Sequence, residues 1–361
     1  MVPLNTDKIS ARQLYALLFT ALLAPMVRAL PGWTAGTAGV GAWLTGLLAF
    51  PPLLLEGWLV WALLRRAQGG GLARAYQDAL GPVLGKGAVC LYLLWGLFLL
   101  ALSARLYAER MLSAGYQGGS VWAFLAVLLG LVLWMGRRKL SAFARAAEIF
   151  YLVLSLALGL VLLFSILDVT PEHVLPIWFE DAPGILAATA VPVGVLSAGV
   201  FAGFVAGQVR PGADDRRRGV RWLAALCVVA ALLQFGVLAQ LGPQLSARME
   251  APFFEVARGV GVSGAFQRVE SLIVALWVFS DFVLLGLLVF ALRAMVGALL
   301  GGRGERYAPW AAVGLGLLGA VFLFPDGFSA KNLAGVIAPL GNLALGFVLP
   351  GVALAVGRLR K

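Results

Sequence analysis

Residues 14–33 read LYALLFTALLAPMVRALPGW, an apolar stretch long enough to cross a bilayer but carrying Pro25, Arg28 and Pro31 in its second half. Pro25 has no backbone N–H, and its ring clashes with the carbonyl group four residues earlier. In hydrocarbon, irregular backbone survives only where protein buries it or a water-filled cavity receives it. The stretch therefore predicts a non-helical segment at residues 24–27 that faces a cavity.

A second interrupted apolar stretch lies half a chain away, at residues 184–207, which read GILAATAVPVGVLSAGVFAGFVAG. If the chain has ten membrane spans, the two stretches are the first and the sixth, which correspond in a 5+5 inverted repeat. Interrupted helices at corresponding positions indicate a transporter's binding site, where half-helix N-termini can face an anionic ligand group. We expect residues 192–199, like residues 24–27, to be non-helical, with the two segments facing each other across the cavity. The predicted substrate-binding residues on the two stretches are Ala24, Pro25, Met26, Arg28, Pro192, Gly194, Ser197 and Gly199.

The composition is that of an integral membrane protein. Hydrophobic residues make up 61% of the 361 residues, charged residues only 12%, and the mean hydropathy is +0.93. The net charge of +11 could suit nucleic acid, but the cations form short clusters between apolar spans rather than one basic face. They indicate membrane topology, so we expect the lipid bilayer and no nucleic acid as a partner.

The apolar runs predict an all-α fold of ten transmembrane helices, with helices 1 and 6 discontinuous. The whole chain, 1–361, is then a single transporter-like domain, with repeat one at about 10–167 and repeat two at about 183–356. The predicted spans are 13–30, 37–64, 87–112, 121–135, 147–167, 183–209, 220–241, 271–300, 309–324 and 333–356.

The distribution of Lys and Arg predicts the orientation of these spans. Most of the 28 cations fall in loops on one side if the N-terminus is cytoplasmic. Both termini are then cytoplasmic, and the acidic loop at 168–181 lies outside. The longest outer connection, 242–269, contains PFFEVARGV, for which we expect a short interfacial helix.

Charged residues at membrane depth are functional candidates because each costs at least ~2.5 to 3.5 kcal/mol on insertion scales. Asp281 lies about 16 Å into its span from Glu270, near the midplane, and Ser280 beside it adds an oxygen ligand. The pair is either an ion- or proton-coupling site or a structural carboxylate with a hydrogen-bonded neighbour. Arg28 either clamps a substrate carboxylate or forms a structural ion pair.

The remaining polar residues predict structural roles. Glu56 in the second span, the Arg105–Glu109 pair at spacing four, and Glu148 at the start of the fifth span suit ion pairs and caps. Cys90 and Cys227 share no metal-ligand spacing, and His173 is the single histidine, so we expect no metal. The common hydrolase, zincin and P-loop motifs are absent from the sequence, so we expect neither an enzyme nor a cofactor.

Three blocks of sequence resemble the spore germination permease family, the B subunits of nutrient germinant receptors. They are KISARQLYALLFTALLAPMVRALPG at 8–32 with GAWLTGLLA at 41–49, RAAEIFY at 145–151, and APFFEVARGVGVSGAFQRVESLIVALWVFSDF at 251–282. The resemblance implies the inverted-repeat fold of the amino acid/polyamine/organocation (APC) superfamily, in which spans one, two, six and seven move as a bundle. It also implies that Asp281 and Arg28 line one cavity. The chain departs from the family pattern at residues 24–26, which lack a Gly-rich turn, and at 201–207, which carry no acidic residue.

The resemblance implies a function as the membrane subunit of a spore nutrient-germinant receptor. Such a subunit would bind a small nutrient, an amino acid, between helices 1 and 6, and partner subunits would read the resulting conformational shift. Those partners would be a large membrane subunit and a lipoprotein, in the spore inner membrane. The alternative is a proton- or sodium-coupled amino acid permease of the cell membrane.

Overall fold

A computed structural model describes residues 8–67, 69–113, 118–167, 169–212, 215–259 and 269–359. Within these ranges the chain is helical and forms no strand; the only extended pairing is an isolated bridge between Ile9 and Val209. This bears out the all-α prediction. Buried apolar side chains from both halves of the chain form the core.

The described residues of the first half form seven α-helices. They are α1 (Ala11–Ala38), α2 (Leu44–Leu48), α3 (Phe50–Leu64), α4 (Leu72–Leu80), α5 (Pro82–Ser113), α6 (Val121–Gly136) and α7 (Leu140–Leu167). Short 3₁₀ turns at Gly39–Gly41 and Arg65–Ala67 flank α2 and α3, so the second predicted span is one nearly continuous rod.

The second half is more irregular. It comprises α8 (Ala182–Ala188), α9 (Ala190–Leu196), α10 (Ala202–Val205), α11 (Asp215–Arg248), α12 (Pro252–Gly259), α13 (Val269–Phe322), α14 (Gly327–Asn332), α15 (Ala338–Leu343) and α16 (Leu349–Leu359). A 3₁₀ segment, Ser197–Phe201, joins α9 to α10, and π-helical segments at Leu333–Ile337 and Ala344–Val348 flank α15. The expected short helix in the 242–269 connection is confirmed as α12; residues 260–268 lie outside the described residues.

Eight described helical stretches are long and apolar enough to cross a membrane. One of them, Val274–Phe322, has 49 residues, and a straight helix of that length would be about 74 Å long, more than twice the hydrocarbon thickness. It turns at Gly301, whose φ of 76° lies in the left-handed region that favours glycine. A further apolar helix, α6, has only 16 residues. The chain is thus an integral membrane protein, while the division into ten spans stays a prediction.

Helix α1 lies at the centre of the molecule. In its most apolar window 83% of residues are buried inside the protein, against 22% for the stretch containing α3 and 28% for the stretch containing α7. A helix apolar all round and buried all round contacts protein rather than lipid. The polar and charged groups on α1 must therefore find partners among the surrounding helices.

The start of α1 is joined to the end of the α8–α10 stretch. The Ile9 N–H donates to the Gln208 carbonyl at 2.9 Å, and the Arg210 N–H donates to the Ile9 carbonyl at 2.8 Å. Because one segment begins where the other ends, α1 and the α8–α10 stretch run in opposite directions across the bundle. This is the relation that an inverted repeat requires of its first and sixth spans.

Candidate functional site

The predicted break at residues 24–27 is wrong, because α1 is helical from Ala11 to Ala38 with Pro25 and Pro31 inside it. The side chain of Ser280, on α13, explains how the helix continues. Its hydroxyl accepts a hydrogen bond from the Ala24 N–H at 2.7 Å and donates one to the Thr20 carbonyl at 2.6 Å. A serine from a neighbouring helix thus bridges the rung of the ladder next to Pro25, which is how membrane helices tolerate proline.

The expectation that residues 192–199 are non-helical is also wrong. Pro192 and Gly194 lie inside α9, and Ser197 begins the 3₁₀ segment that also contains Gly199. The stretch is nevertheless segmented, since it changes from α to 3₁₀ and back within 16 residues. Asn342 joins it to the last span by donating from its amide to the Gly194 carbonyl at 2.9 Å. Trp95 Nε1, on α5, donates to Asn342 Oδ1 at 2.9 Å and holds that amide in place.

A narrow cavity, partly open to the surface, lies between α1, α5, α9 with its 3₁₀ extension, α13 and the last span. Its walls are mostly apolar, as is usual for small-ligand sites, and its polar lining comes from Arg28, Ser103 and Asn342. Pro25, Ala29 and Trp33 supply the α1 wall, opposite Val195 and Ala198. The cavity is thus placed between the two stretches that the sequence singled out.

A group of three charged side chains, the partly buried Arg28 and Arg110 and the buried Asp281, lies at the α1–α5–α13 contact. Asp281 is fully buried and forms an ion pair with Arg110 through Oδ2. Arg28 experiences the charges of both groups. The resemblance implies that Asp281 and Arg28 line one cavity; Arg28 lines it, whereas Asp281 pairs with Arg110, whose guanidinium also lies over the Trp277 ring at 5.6 Å.

The charges of this group do not balance. Within the part of the chain that the structure describes, two guanidinium groups accompany one carboxylate, which leaves a formal charge of +1 in this group. Among the described residues, Nε and Nη1 of Arg28, Nε and Nη1 of Arg110, and Oδ1 of Asp281 have no hydrogen-bond partner. Buried unpaired donors are costly, so the arrangement suits an anionic ligand group that adds the missing negative charge.

The predicted site residues divide into three groups. Pro25 and Arg28 line the cavity. Ala24 and Ser280 are engaged in the backbone bridge of α1, and Ser197 donates to Glu56 at 2.6 Å. Two glycines lie against neighbouring helices: Gly194 contacts Pro339, and Gly199 contacts Leu18 and Leu22. Met26 and Pro192 are buried.

The sequence predicted structural roles for four further residues, and the structure shows a different kind of contact for some of them. The Arg105–Glu109 pair is confirmed, with 2.7 Å between Nη2 and Oε1. Glu148 pairs with Arg12 and Gln13 of α1 rather than with its own helix. Glu56, however, is buried in a polar contact with Ser197.

The sequence reasoning missed Arg110, Asn342, Trp95 and Ser103 as site residues. Asn342 carried a usable signal, because an amide at membrane depth needs a partner. Arg110 carried none beyond its charge, since its position near the end of α5 allowed it to face solvent. Its contact with Asp281 depends on how α5 and α13 pack.

These features define an all-helical integral membrane protein with a central, mostly apolar cavity that Arg28 lines. The model of the spore permease family, described as spore germination protein, matches residues 8–308, and the chain belongs to this family. It is 22% identical over 290 residues to spore germination protein KB of Bacillus subtilis (strain 168), covering 79% of this chain and 76% of that protein. The family is not a class of enzymes.

Proposed function

We propose that the chain is the membrane subunit of a spore nutrient-germinant receptor with an APC-type, ten-span inverted-repeat fold. The observation that carries the ligand assignment is the unbalanced group of Arg28, Arg110 and Asp281 beside the central cavity. Family membership supports the receptor role. The ligand is a small nutrient with a carboxylate, of which amino acids are the simplest class.

The carboxylate of the ligand would contact Arg28. Charge-assisted hydrogen bonds from a guanidinium are about twice as strong as neutral ones, and two donors of Arg28 are free among the described residues. The ligand's apolar part would lie against the α1 and α9 walls of the cavity. Binding would thereby connect α1 with the segmented stretch and shift their relative positions, which partner subunits would read.

The ten-span count follows if the 49-residue stretch crosses the membrane twice, turning at Gly301, and if α6 crosses once. Reporter fusions at Gly212, Gly301 and the C-terminus test this topology. All three should report a cytoplasmic location. A periplasmic or external signal at Gly301 would mean that α13 crosses the membrane differently.

A coupled permease is the alternative function, and the buried carboxyl group of Glu56 is the observation that favours it. Asp281 and Ser280 support it less than their positions in the sequence indicated. Asp281 is already neutralised by Arg110, and the Ser280 hydroxyl already serves the α1 backbone. These contacts favour the structural interpretation of both residues.

Ligand-dependent thermal stabilisation of the purified chain tests the proposed site. The panel pairs each amino acid with its uncharged amide and adds sugars and nucleosides. An amino acid should raise the melting temperature while its amide does not, and Arg28→Gln should abolish the shift measured from its own ligand-free baseline. Stabilisation reaches about 2.7 kcal/mol at a ligand concentration of 100 Kd.

Arg12→Gln is the matched control, since the Arg12 side chain is 90% exposed at the start of the same helix. It should retain the full ligand shift. Equal stabilisation by an amino acid and its amide, or an unchanged shift in Arg28→Gln, would refute the assignment of Arg28. Mass spectrometry of the tagged chain isolated from sporulating cells then tests the receptor role, with a large membrane subunit and a lipoprotein as the expected partners.

A further inference from the structure

The second buried polar contact lies outside the cavity, between α3, the 3₁₀ segment Ser197–Phe201 and the π-helix Ala344–Val348. Its central group is the carboxyl of Glu56, whose residue is only 6% exposed. Ser197, which is fully buried, donates its hydroxyl hydrogen to Glu56 Oε2 at 2.6 Å. The contact therefore joins the second span directly to the α8–α10 stretch.

Gly346 makes room for this carboxyl group. A Cβ at position 346 would lie 2.8 Å from Glu56 Oε1 and 3.0 Å from its Cδ, which is closer than atoms pack. The carbonyl of the preceding residue, Leu345, accepts a hydrogen bond from the Tyr92 hydroxyl, which also lies 2.8 Å from the Tyr76 hydroxyl. Glycine and a π-helix thus form a niche in the last span, and π-helical turns often mark functional sites.

No cation balances Glu56 among the described residues. The titratable groups beside the niche are the hydroxyls of Tyr92, on α5, and Tyr76, on α4, neither of which is a cation. The α9, 3₁₀ and π-helical segments carry no titratable side chain. The remaining groups lie elsewhere: Arg74 and Asp78 pair with each other on the surface, Arg358 is exposed, Arg66 lies against Gly357, and Arg65 and Arg216 lie over Trp61.

The remaining titratable groups of α11 are Asp215, Arg217, Arg218, Arg221, Cys227 and Arg248, of which the charged ones lie near the two ends of that helix. A carboxylate can accept about four hydrogen bonds, and the niche shows one hydroxyl donor to Glu56. A buried carboxylate without a counter-ion takes up a proton in preference to staying ionised. The niche is consequently built for the neutral acid.

We propose that Glu56 is a proton-binding site that couples protonation to the packing of the second, sixth and last spans. In the arrangement described above, the carboxyl group is protonated and the three segments meet around it. Loss of the proton to water leaves a carboxylate that needs more donors than Ser197 provides. Ionisation therefore favours a conformation in which water enters between α3 and the 3₁₀ segment.

Infrared difference spectroscopy of the purified, ligand-free protein tests the protonation state. The wild type should show the carbonyl stretch of a protonated carboxyl group at neutral pH, and Glu56→Gln should remove that band. Ser197→Ala should move the band to higher wavenumber, because the carbonyl oxygen of the Glu56 carboxyl group loses a hydrogen bond. The control Glu109→Gln should leave the band in place, since Glu109 pairs with Arg105 as a carboxylate.

A cysteine at Val60 tests the coupling to structure. Val60 lies one turn beyond Glu56, and its side chain faces Gly203 of the α8–α10 stretch. In a background with Cys90→Ala and Cys227→Ala, Val60→Cys is labelled with a water-soluble maleimide at increasing pH, with and without Glu56→Gln. The ratio of the two labelling rates cancels the titration of the thiol itself.

This ratio should rise severalfold between acidic and alkaline pH, because only the chain with Glu56 opens on ionisation. A constant ratio would overturn the coupling. Absence of the infrared band at neutral pH, or a band unaffected by both Glu56→Gln and Ser197→Ala, would overturn the protonated site. Neither measurement contains a ligand, so their outcome is independent of the proposed nutrient site.

Discussion

The Ser280 bridge to α1 leads to a quantitative prediction for Ser280→Ala. The substitution deletes two hydrogen bonds, of 2.7 Å to the Ala24 N–H and 2.6 Å to the Thr20 carbonyl, and leaves two buried backbone groups without their partner. A typical hydrogen bond contributes about 0.5 to 1.5 kcal/mol, and interhelical ones in membranes average about 0.6 kcal/mol. We therefore expect a loss of about 1 to 3 kcal/mol in the free energy of unfolding.

Equilibrium unfolding in mixed detergent micelles, followed by circular dichroism, measures this loss. Ser155→Ala is a matched control, because the Ser155 hydroxyl is buried without a hydrogen-bond partner among the described residues. Removing that hydroxyl should be neutral or slightly stabilising. An equal effect of the two serine substitutions would refute the bridge.

Pro25→Ala provides a second test of the same reasoning. It restores an N–H at position 25 and removes the ring, so the ladder from Thr20 to Ala24 can close without a hydroxyl. In this background Ser280→Ala should cost at least ~0.5 kcal/mol less than in the wild type. Additive losses would show that Ser280 stabilises the protein independently of the proline.

Three further predictions concern other contacts. Arg110→Gln should destabilise the protein by about 3 to 5 kcal/mol in the same unfolding assay, because it removes the direct ion-pair partner of the buried Asp281. Adding Asp281→Asn should recover part of the loss, and additivity of the two would contradict the pair. Gly194→Ala should cost about 1 to 3 kcal/mol, since its Cβ would lie 2.9 Å from backbone atoms of Pro339; unchanged stability would contradict the close approach. The Ser329 N–H, donating to the exposed Asp326 carboxylate, lowers the pKa of that carboxyl group, so its stabilising contribution is complete above the unfolded-state pKa and is lost as the pH falls through the folded-state pKa. The stability difference between wild type and Asp326→Ala should therefore shrink on acidification. A pH-independent difference would contradict the cap.

Local sequence determined the class of this protein and its simplest elements. Twenty-residue apolar runs can satisfy their backbone in a bilayer only as helices, so the all-helical membrane fold follows from composition and spacing. The Arg105–Glu109 pair and the short helix α12 were predictable for the same reason, because each depends on residues within one or two turns. The resemblance carried by residues 8–32 and 251–282 identified the family.

Tertiary structure alone decided how the interrupted stretches are built. The backbone at Pro25 stays helical because a serine 256 positions away from Ala24 completes its ladder, and no pattern in residues 14–33 shows that serine. Asp281 similarly pairs with Arg110 rather than Arg28 because α5 and α13 bring those two side chains together. Hydrogen bonds and ion pairs between helices depend on the rotation and separation of the helices, which hydrophobic periodicity does not specify, and for that reason the proposed sites became visible only in the folded chain.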